Sequence, residues 1–333
     1  MTHVLEVVGR LACDDGFADF QNSLVRDFYD VLGQGFALNE NEVRLVERLV
    51  GAANGRSYGP LRILAKMLHG TRSFVEFNYL DKPVTKELGD MALITVVTSG
   101  ANRIAQRLCI VQNKKTATGS WHLDLEQLFL LKNFPPFAGN RGIFKGVREL
   151  AFRNASGCLG AFGLLLAPGE MIFASAPLVS EMAKGKASLS MADISVIESH
   201  GPGGNRPAWN LGLPPGSWAY PEKWLHHLER LYRHFGPPSW PDFPGAAALL
   251  ATDRFSRDLY DLTRSLTQLC IGEFTFADGE VLNRNADAFA NLLIRAAGFG
   301  ELFAGGHDNL LAEIRFESQM AVIVVHLDLE RAM

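Results

Sequence analysis

The sequence is poor in features that would place it in several large classes of protein. Its 333 residues include only four cysteines, and no two are close enough to form a short metal-binding pair. Scattered cysteines of this kind are typical of small buried side chains in a reducing compartment. There is no apolar run near the ~20 residues that a membrane helix requires, and the first residues do not resemble a signal segment. We therefore expect a cytoplasmic protein with no membrane attachment.

The absence of two motifs and the balanced charge further restrict the classes of protein to which the chain could belong. There is no Gly-x-Ser-x-Gly nucleophile elbow and no Gly-x-Gly-x-x-Gly dinucleotide motif, so acyl-transfer hydrolases and nicotinamide enzymes are not favoured. The chain carries 32 basic and 36 acidic residues, which give a net charge of −4. This balance argues against a surface coated in positive charge, although phosphate binding needs only a local positive patch.

The composition predicts a folded protein with a large core. Apolar residues make up 47% of the chain and charged residues 20%, as in ordinary globular proteins. Helical spacing of apolar residues dominates 17–69, where Asn39 or Asn41 caps a helix that continues to Ala53 and a short helix covers Leu61–Leu68. Extended segments and turns alternate from there to residue 175. We expect an α/β fold of mixed α+β character, in which helices flank a mixed sheet.

The chain length is comfortable for two domains. Loop-forming sequence over 199–205 and 213–217, rich in glycine and proline, suggests a boundary. We therefore predict a main domain over 1–200 and a smaller C-terminal α/β accessory domain over 206–333. The accessory domain would contain helices over 221–235 and 253–268 and a terminal hairpin of 311–316 with 320–329.

Polar residues of a distinctive kind lie at the ends of two neighbouring predicted strands. Asp90 precedes the apolar run 91–98, and Gln112 and Lys114 follow the apolar run 108–111. If the two strands pair across the turn Ser99–Asn102, the start of the first lies beside the end of the second. Residues two apart on a strand share a face, so Gln112 and Lys114 point the same way. Asp90 should therefore lie close to both.

A carboxylate, an amide and an ammonium group in this arrangement suit metal-assisted chemistry at a phosphate. Mg²⁺ prefers oxygen ligands, usually one or two carboxylates together with waters. Asp90 would supply charge, the amide oxygen of Gln112 a neutral ligand, and Lys114 a group that holds the attacking water and offsets charge on the phosphate.

The Gly89-Asp90 pair followed by Gln112-Asn113-Lys114 resembles the PD-(D/E)xK nuclease superfamily in its Gln-x-Lys variant. The resemblance covers roughly residues 40–175, with the helix Leu123–Asn133 as the helix that follows the motif. It implies a restriction-endonuclease-like core and a Mg²⁺- or Mn²⁺-dependent endonuclease that acts on DNA more readily than on RNA. It also makes restriction or anti-phage defence a plausible setting and a homodimer a plausible assembly.

The upstream acidic residue of this pattern is ambiguous. Glu76 has a suitable distance and an apolar context and is our first choice, followed by Glu87 and then Glu47. The resemblance therefore implies a metal site of Asp90, Gln112 and Glu76. Because Gln112 replaces a carboxylate, we expect metal affinity to be lower than in an all-carboxylate site.

Basic residues are concentrated between 56 and 153, which favours nucleic acid as the partner. The competing hypothesis is a nuclease fold with an eroded site that binds nucleic acid or a protein without cutting, and the C-terminal region could offer such a protein a surface. We interpret His326 and Asp328, at the end of the last strand, as solvated strand-end residues. The basic residues that carry the nucleic-acid prediction are Arg56, Arg62, Lys66, Arg72, Arg103, Arg107, Lys114, Lys115, Lys132, Arg141, Lys145, Arg148 and Arg153.

Overall fold

The computed structural model describes residues 2–68, 74–141, 149–194, 254–300 and 320–332. These residues form a mixed α/β fold, as the sequence predicts, with a ten-stranded mixed sheet as its centre. The helices are α1 (Thr2–Ala12), α2 (Asp15–Ala37), α3 (Glu42–Ala53), α4 (Leu125–Asn133), α5 (Ala176–Ala183), α6 (Leu259–Thr267) and α7 (Arg284–Ala296), and a 3₁₀ turn covers Leu329–Ala332. The strands are β1 (Ser57–Tyr58), β2 (Leu61–Leu68), β3 (Phe74–Tyr79), β4 (Lys82–Glu87), β5 (Met91–Ser99), β6 (Asn102–Thr116), β7 (Ser120–His122), β8 (Phe137–Arg141), β9 (Gly160–Leu166), β10 (Glu170–Ser175), β11 (Ser188–Ser190), β12 (Phe255–Ser256), β13 (Glu273–Ala277), β14 (Glu280–Val281) and β15 (Met320–Asp328).

The main sheet is built around the long strand β6. Its order is β1-β2-β15-β5-β6-β9-β10-β12, and β13 pairs with the first part of β6 and with β14. β5 and β6 form an antiparallel pair in which Met91 lies opposite Val111. β9 then runs parallel to the second part of β6, with α4 in the connection, as a parallel crossover requires. Separate small sheets are formed by β4-β3-β8 and by β11-β7.

Apolar side chains alternate across the main sheet and create a core on each face. One face packs against α1, α2, α3 and α6, and the other against α4, α5, α7 and the β4-β3-β8 sheet. Within β5, Leu93 belongs to the first core whereas Ala92 and Ile94 belong to the second. The strand is therefore buried on both faces, which explains its nearly continuous apolar sequence.

Polar caps fix the helix starts that matter for the site. Asn41 caps α3 by accepting a hydrogen bond from the backbone N–H of Arg44 at 3.0 Å, so of the two predicted caps Asn41 is confirmed. Asp124 caps α4 by accepting from the N–H groups of Glu126 and Gln127. Each cap satisfies donors that the first turn of a helix leaves free.

The predicted short helix over Leu61–Leu68 is wrong, because this segment is strand β2. It pairs antiparallel with β15, with Leu61 opposite Leu327 and Leu68 opposite Met320. Short apolar runs do not distinguish a helix from a strand by periodicity, and here pairing with a distant segment decides.

The described C-terminal residues do not form a sheet of their own, which differs from the predicted accessory domain over 206–333. β12 and β13 join the main sheet, and β15 lies between β2 and β5 near its centre. β15 pairs parallel with β5 along its whole length. Its side chains are buried on both faces, so it needs neighbours on both sides to satisfy its backbone. The predicted elements at 221–235 and 311–316, and the loop-rich stretches at 199–217, lie outside the described residues.

None of the helices in the described ranges is long and apolar enough to span a membrane. The cysteines are free thiols, three of them buried, and Cys13 is exposed.

Candidate functional site

The backbone at Asp90 is fixed between two strands. The Asp90 N–H donates to the carbonyl oxygen of Val111 on β6 at 3.0 Å, and the Asp90 carbonyl accepts from the N–H of Ala321 on β15 at 2.9 Å. Gly89 permits the close approach, because a Cβ there would lie 2.7 Å from Ile110 Cγ2 and 3.1 Å from the Val111 oxygen. The sheet therefore sets the position of the aspartate before its side chain makes any contact.

The segment that leads into Asp90 is held by the start of α4. Lys86 forms ion pairs with Asp124 at 2.6 Å and with Glu126 at 2.7 Å. Gln127 Nε2 donates to the carbonyl oxygen of Glu87 at 2.6 Å. The helix that follows the motif thus supports the turn that carries Asp90.

The predicted juxtaposition of Asp90 and Gln112 is confirmed. Gln112 Nε2 donates to Asp90 Oδ2 at 2.5 Å, and the backbone N–H of Asn113 donates to the same oxygen at 2.8 Å. Both partners are donors, so Oδ2 is an acceptor and the nitrogen of the Gln112 amide must face it. Asp90 Oδ1, the other carboxylate oxygen, accepts no hydrogen bond from any described residue.

This pairing leaves the carbonyl end of the Gln112 amide without a partner. The side chain is only 6% exposed, and its Oε1 is buried with no hydrogen-bond partner among the described residues. Burying an acceptor without a partner costs about 1–3 kcal/mol. The site therefore holds an unsatisfied oxygen beside a carboxylate, which is an arrangement that a cation or a donor would relieve.

A cavity of about 130 Å³ opens at this point of the sheet. Its walls come from the start of α3, the end of β2, the end of β4 and the strand ends around Asp90. The lining residues are Glu42, Val43, Val46, Met67, Glu87, Asp90, Gln112 and Lys114.

Burial and the neighbouring polar groups shift the pKa of Asp90. Burial raises the pKa of Asp90 to about 6. The Asn113 N–H hydrogen bond opposes that rise, the Glu42 carboxylate adds to it, and the Lys114 ammonium and the Gln112 amide oppose it. A second carboxylate thus lies close enough to Asp90 to be felt electrostatically.

That second carboxylate is Glu42, which we did not predict. It is the first residue of α3, and its Oε1 accepts a hydrogen bond from the backbone N–H of Lys115 on β6 at 2.8 Å. The sequence contained one usable signal, since the cap at Asn41 places Glu42 at the start of an amphipathic helix that packs on the sheet. Its approach to β6 is a long-range contact that no local pattern indicates.

The three predicted choices for the upstream acid fall in different places. Glu76, the first choice, is exposed on β3, where its Oε2 accepts from Asn140 Nδ2 at 3.2 Å, and it does not line the cavity. Glu47 forms an ion pair with Arg44 at 2.6 Å on the outer face of α3. Glu87 does line the cavity. The structure therefore brings together Asp90, Gln112 and Lys114, but not Glu76.

Two of the predicted basic residues are engaged inside the protein, whereas Lys66 and Arg153 are exposed. Arg107 is buried against the Phe274 ring, with its guanidinium carbon 3.9 Å from the ring centroid. Arg103 pairs with Asp287 at 3.0 Å. Lys114 differs from both, because it is partly exposed in the cavity and makes no hydrogen bond or ion pair with a described residue. Arg72, Lys145 and Arg148 lie outside the described residues, and the Arg141 side chain is not described.

The oxygen donors around the cavity fit a hard divalent cation. Asp90 and Glu42 offer carboxylate oxygens and Gln112 offers its unpartnered Oε1, which is the type of donor set that Mg²⁺ accepts together with water. Across the described ranges, no group of three or more His, Cys, Asp or Glu side chains is arranged to hold a metal ion. Any metal bound here would therefore depend on the amide of Gln112 as well as on the carboxylates.

No protein-family model matches the chain, and comparisons with curated proteins and with solved structures find no significant match either.

Proposed function

We propose that this protein is a metal-dependent endonuclease that hydrolyses phosphodiester bonds in nucleic acid. The observation that carries the proposal is the unpartnered Oε1 of Gln112, a residue that lines the cavity together with Asp90. An electrophile satisfies this oxygen and balances the carboxylate at the same time. A divalent cation bound to the phosphate of a substrate is such an electrophile.

The metal would be Mg²⁺ or Mn²⁺, held by Asp90, Gln112 and, in place of the Glu76 first expected, Glu42. When bound, such a cation lowers the pKa of a coordinated water and offsets negative charge at the phosphate. Gln112 keeps its amide nitrogen on Asp90, which leaves its Oε1 without a partner among the described residues. Because the pKa of Asp90 is about 6, its carboxylate is mainly ionised at pH 7.

Lys114 supplies the remaining chemistry. Its ammonium lines the cavity and has no competing hydrogen-bond partner among the described residues, so it is available to a phosphate oxygen or to the attacking water. In either position it stabilises charge that develops as the P–O bond breaks. An alanine at this position would leave the carboxylates intact and remove only this contribution.

The substrate is proposed from the superfamily that the motif resembles, and DNA is favoured over RNA on that ground. We also propose a role in restriction or anti-phage defence, a homodimeric assembly and a protein partner for the C-terminal region. Since Arg103, Arg107 and Lys115 are engaged within the protein, we expect phosphate contacts near the cavity to depend mainly on Lys114.

One observation favours an alternative, a protein of the same fold that binds nucleic acid or a protein partner without cutting. Glutamine stands where a second carboxylate would strengthen metal binding, and the described residues hold no cluster of three titratable ligands. This alternative predicts that nucleic-acid binding survives in EDTA and that no variant of the cavity changes any cleavage rate.

The test is cleavage of plasmid, linear duplex, single-stranded DNA and RNA with Mg²⁺, Mn²⁺ or EDTA. Lys114→Ala should slow metal-dependent cutting by about 10²–10³-fold while it leaves nucleic-acid binding in place. Lys186→Ala is a matched control, because Lys186 is exposed away from the predicted basic cluster and pairs with Asp193 at 3.9 Å. Absence of cutting on every substrate, with binding intact, would favour the alternative.

A further inference from the structure

Lys115 follows Lys114 in sequence but serves a different part of the molecule. Successive residues on a strand point to opposite faces, and the Lys115 side chain turns towards the connection between α2 and α3. Its Nζ donates to the carbonyl oxygen of Glu40 at 2.6 Å and to Asn39 Oδ1 at 3.2 Å. It also lies 5.3 Å from the centroid of the Phe36 ring. The ammonium is therefore engaged by the protein and not presented to a ligand.

The main chain of Lys115 holds the next part of the same connection. Its N–H donates to Glu42 Oε1 at 2.8 Å. Lys115 therefore makes three hydrogen bonds to the segment 39–42, two from its side chain and one from its backbone. The last of these hydrogen bonds is accepted by the carboxylate that lines the cavity together with Asp90.

The other polar contacts of this connection do not reach the sheet. Arg48 forms a two-point ion pair with Glu40 at 2.5 and 2.7 Å, which ties the connection to α3 itself. Asn41 caps α3 through the N–H of Arg44. Among the described residues, the hydrogen bonds between this connection and β6 all come from Lys115.

We propose that Lys115 is a positioning residue for the metal site. It docks the α2–α3 connection onto β6 and so directs the Glu42 carboxylate into the cavity with Asp90 and Gln112. The inference rests on the proposed function, because a metal is what Glu42 would be positioned to meet. Groups that orient metal ligands typically change metal affinity by 10–100-fold when they are removed.

The experiment compares wild type with Lys115→Met, Lys115→Arg and Lys186→Met. Mn²⁺ binding is measured by calorimetry, and hydrogen exchange of the amide at position 115 is measured without metal. Lys115→Met keeps the length of the side chain but loses both hydrogen bonds, whereas Lys115→Arg keeps donors. We expect Lys115→Met to weaken Mn²⁺ binding by about 10-fold and to speed exchange of its own amide. Lys115→Arg should restore most of both, and Lys186→Met should resemble wild type.

Nucleic-acid binding in EDTA separates positioning from phosphate contact. Since the Lys115 ammonium is engaged internally, Lys115→Met should leave that affinity within about twofold of wild type. A loss of that affinity well beyond twofold in Lys115→Met would overturn the inference, and so would Mn²⁺ binding that is unchanged in Lys115→Met.

The two readouts also separate this inference from the proposed function. If wild type binds no Mn²⁺, the metal-dependent function fails, and amide exchange still decides the role of Lys115. Faster exchange at position 115 in Lys115→Met would then support the docking role. Equal exchange in the two proteins would overturn it.

Discussion

Ionisable groups with shifted pKa values lie near both ends of β5. Asp90 precedes its first residue, and His326 lies opposite Val96 on the neighbouring strand β15. Burial causes the shift at both ends, but the surroundings differ. At one end, burial raises the pKa of Asp90 to about 6. Near the other, roughly 20 Å along the strand, burial lowers the pKa of His326 to about 4. His326 is 3% exposed, and Thr98 Oγ1 lies 2.9 Å from its Nε2 and Arg62 Nη2 lies 3.4 Å from its Nδ1.

The comparison teaches that a shifted pKa does not by itself indicate a functional site. Both nitrogens of His326 have neighbours within hydrogen-bonding range, so its surroundings are those of a structural group. At the Asp90 end, Gln112 Oε1 lacks a partner within the described residues and a cavity opens beside it. What distinguishes the two ends is an unsatisfied acceptor with space next to it. The earlier interpretation of His326 as a solvated residue is wrong, since the strand end is covered.

The most direct test of this difference is to replace Asp90 and His326 separately and to measure cleavage. Asp90→Asn should reduce metal-dependent cutting by roughly 10³-fold, because it removes the carboxylate that would hold the metal ion against the phosphate. His326→Gln, which keeps a donor and an acceptor at the other end, should leave the rate at pH 7 unchanged. Equal losses in the two variants would show that the ends are not functionally different.

Stability at the Asp90 end should fall as the pH rises from about 4 to 6. The folded protein retains the Asp90 proton up to a pKa of about 6, compared with the ordinary value of 3.8, so the unfolded chain releases this proton first. The contribution to stability is therefore present at low pH and is lost as the pH rises. Asp90→Asn cannot ionise and should gain about 3 kcal/mol over wild type between pH 4 and pH 7, measured by urea unfolding.

The His326 end should show the opposite dependence. The folded-state pKa of about 4 lies below the ordinary value of 6.5, so the unfolded chain takes up a proton first as the pH falls. Stability is therefore present above pH 6.5 and is lost towards pH 4. Wild type should lose about 3 kcal/mol more than His326→Gln over this range. Dependences of the same sign at both ends would contradict the account.

A smaller expected effect, on Mn²⁺ affinity, tests whether Glu42 or Glu76 is the metal ligand. Glu42→Gln should weaken Mn²⁺ binding by about 10–100-fold, because it removes charge from the donor set. Glu76→Gln should leave the affinity at the wild-type value, since Glu76 is exposed on β3 and hydrogen-bonded to Asn140. If Glu76→Gln alone weakened binding, the assignment of Glu42 would be wrong.

Local patterns predict the core of the candidate site because it depends on neighbouring strands. The apolar runs on either side of the turn Ser99–Asn102 imply the β5–β6 pair, and the pair implies contact between Asp90 and Gln112. The order of the helix and strands around them, including α4 after β6, follows from the same patterns.

Long-range contacts explain what the sequence does not reveal. β2 is a strand because β15, more than 250 residues later, pairs with it from Leu68 to Leu61. β15 lies between β2 and β5, so a strand from the C-terminal third belongs to the same sheet as strands from the first third. Glu42 reaches the cavity only because β6 presents the N–H of Lys115 to it, and no spacing in the sequence encodes that contact.

The most direct test of the central claim is a Mn²⁺ titration of wild type, Gln112→Met and Gln112→Glu. The account predicts one Mn²⁺ per chain for wild type, binding about 10-fold weaker for Gln112→Met, which lacks the oxygen, and tighter binding for Gln112→Glu, which adds a charge. Absence of Mn²⁺ binding by wild type, or equal binding by wild type and Gln112→Met, would contradict it.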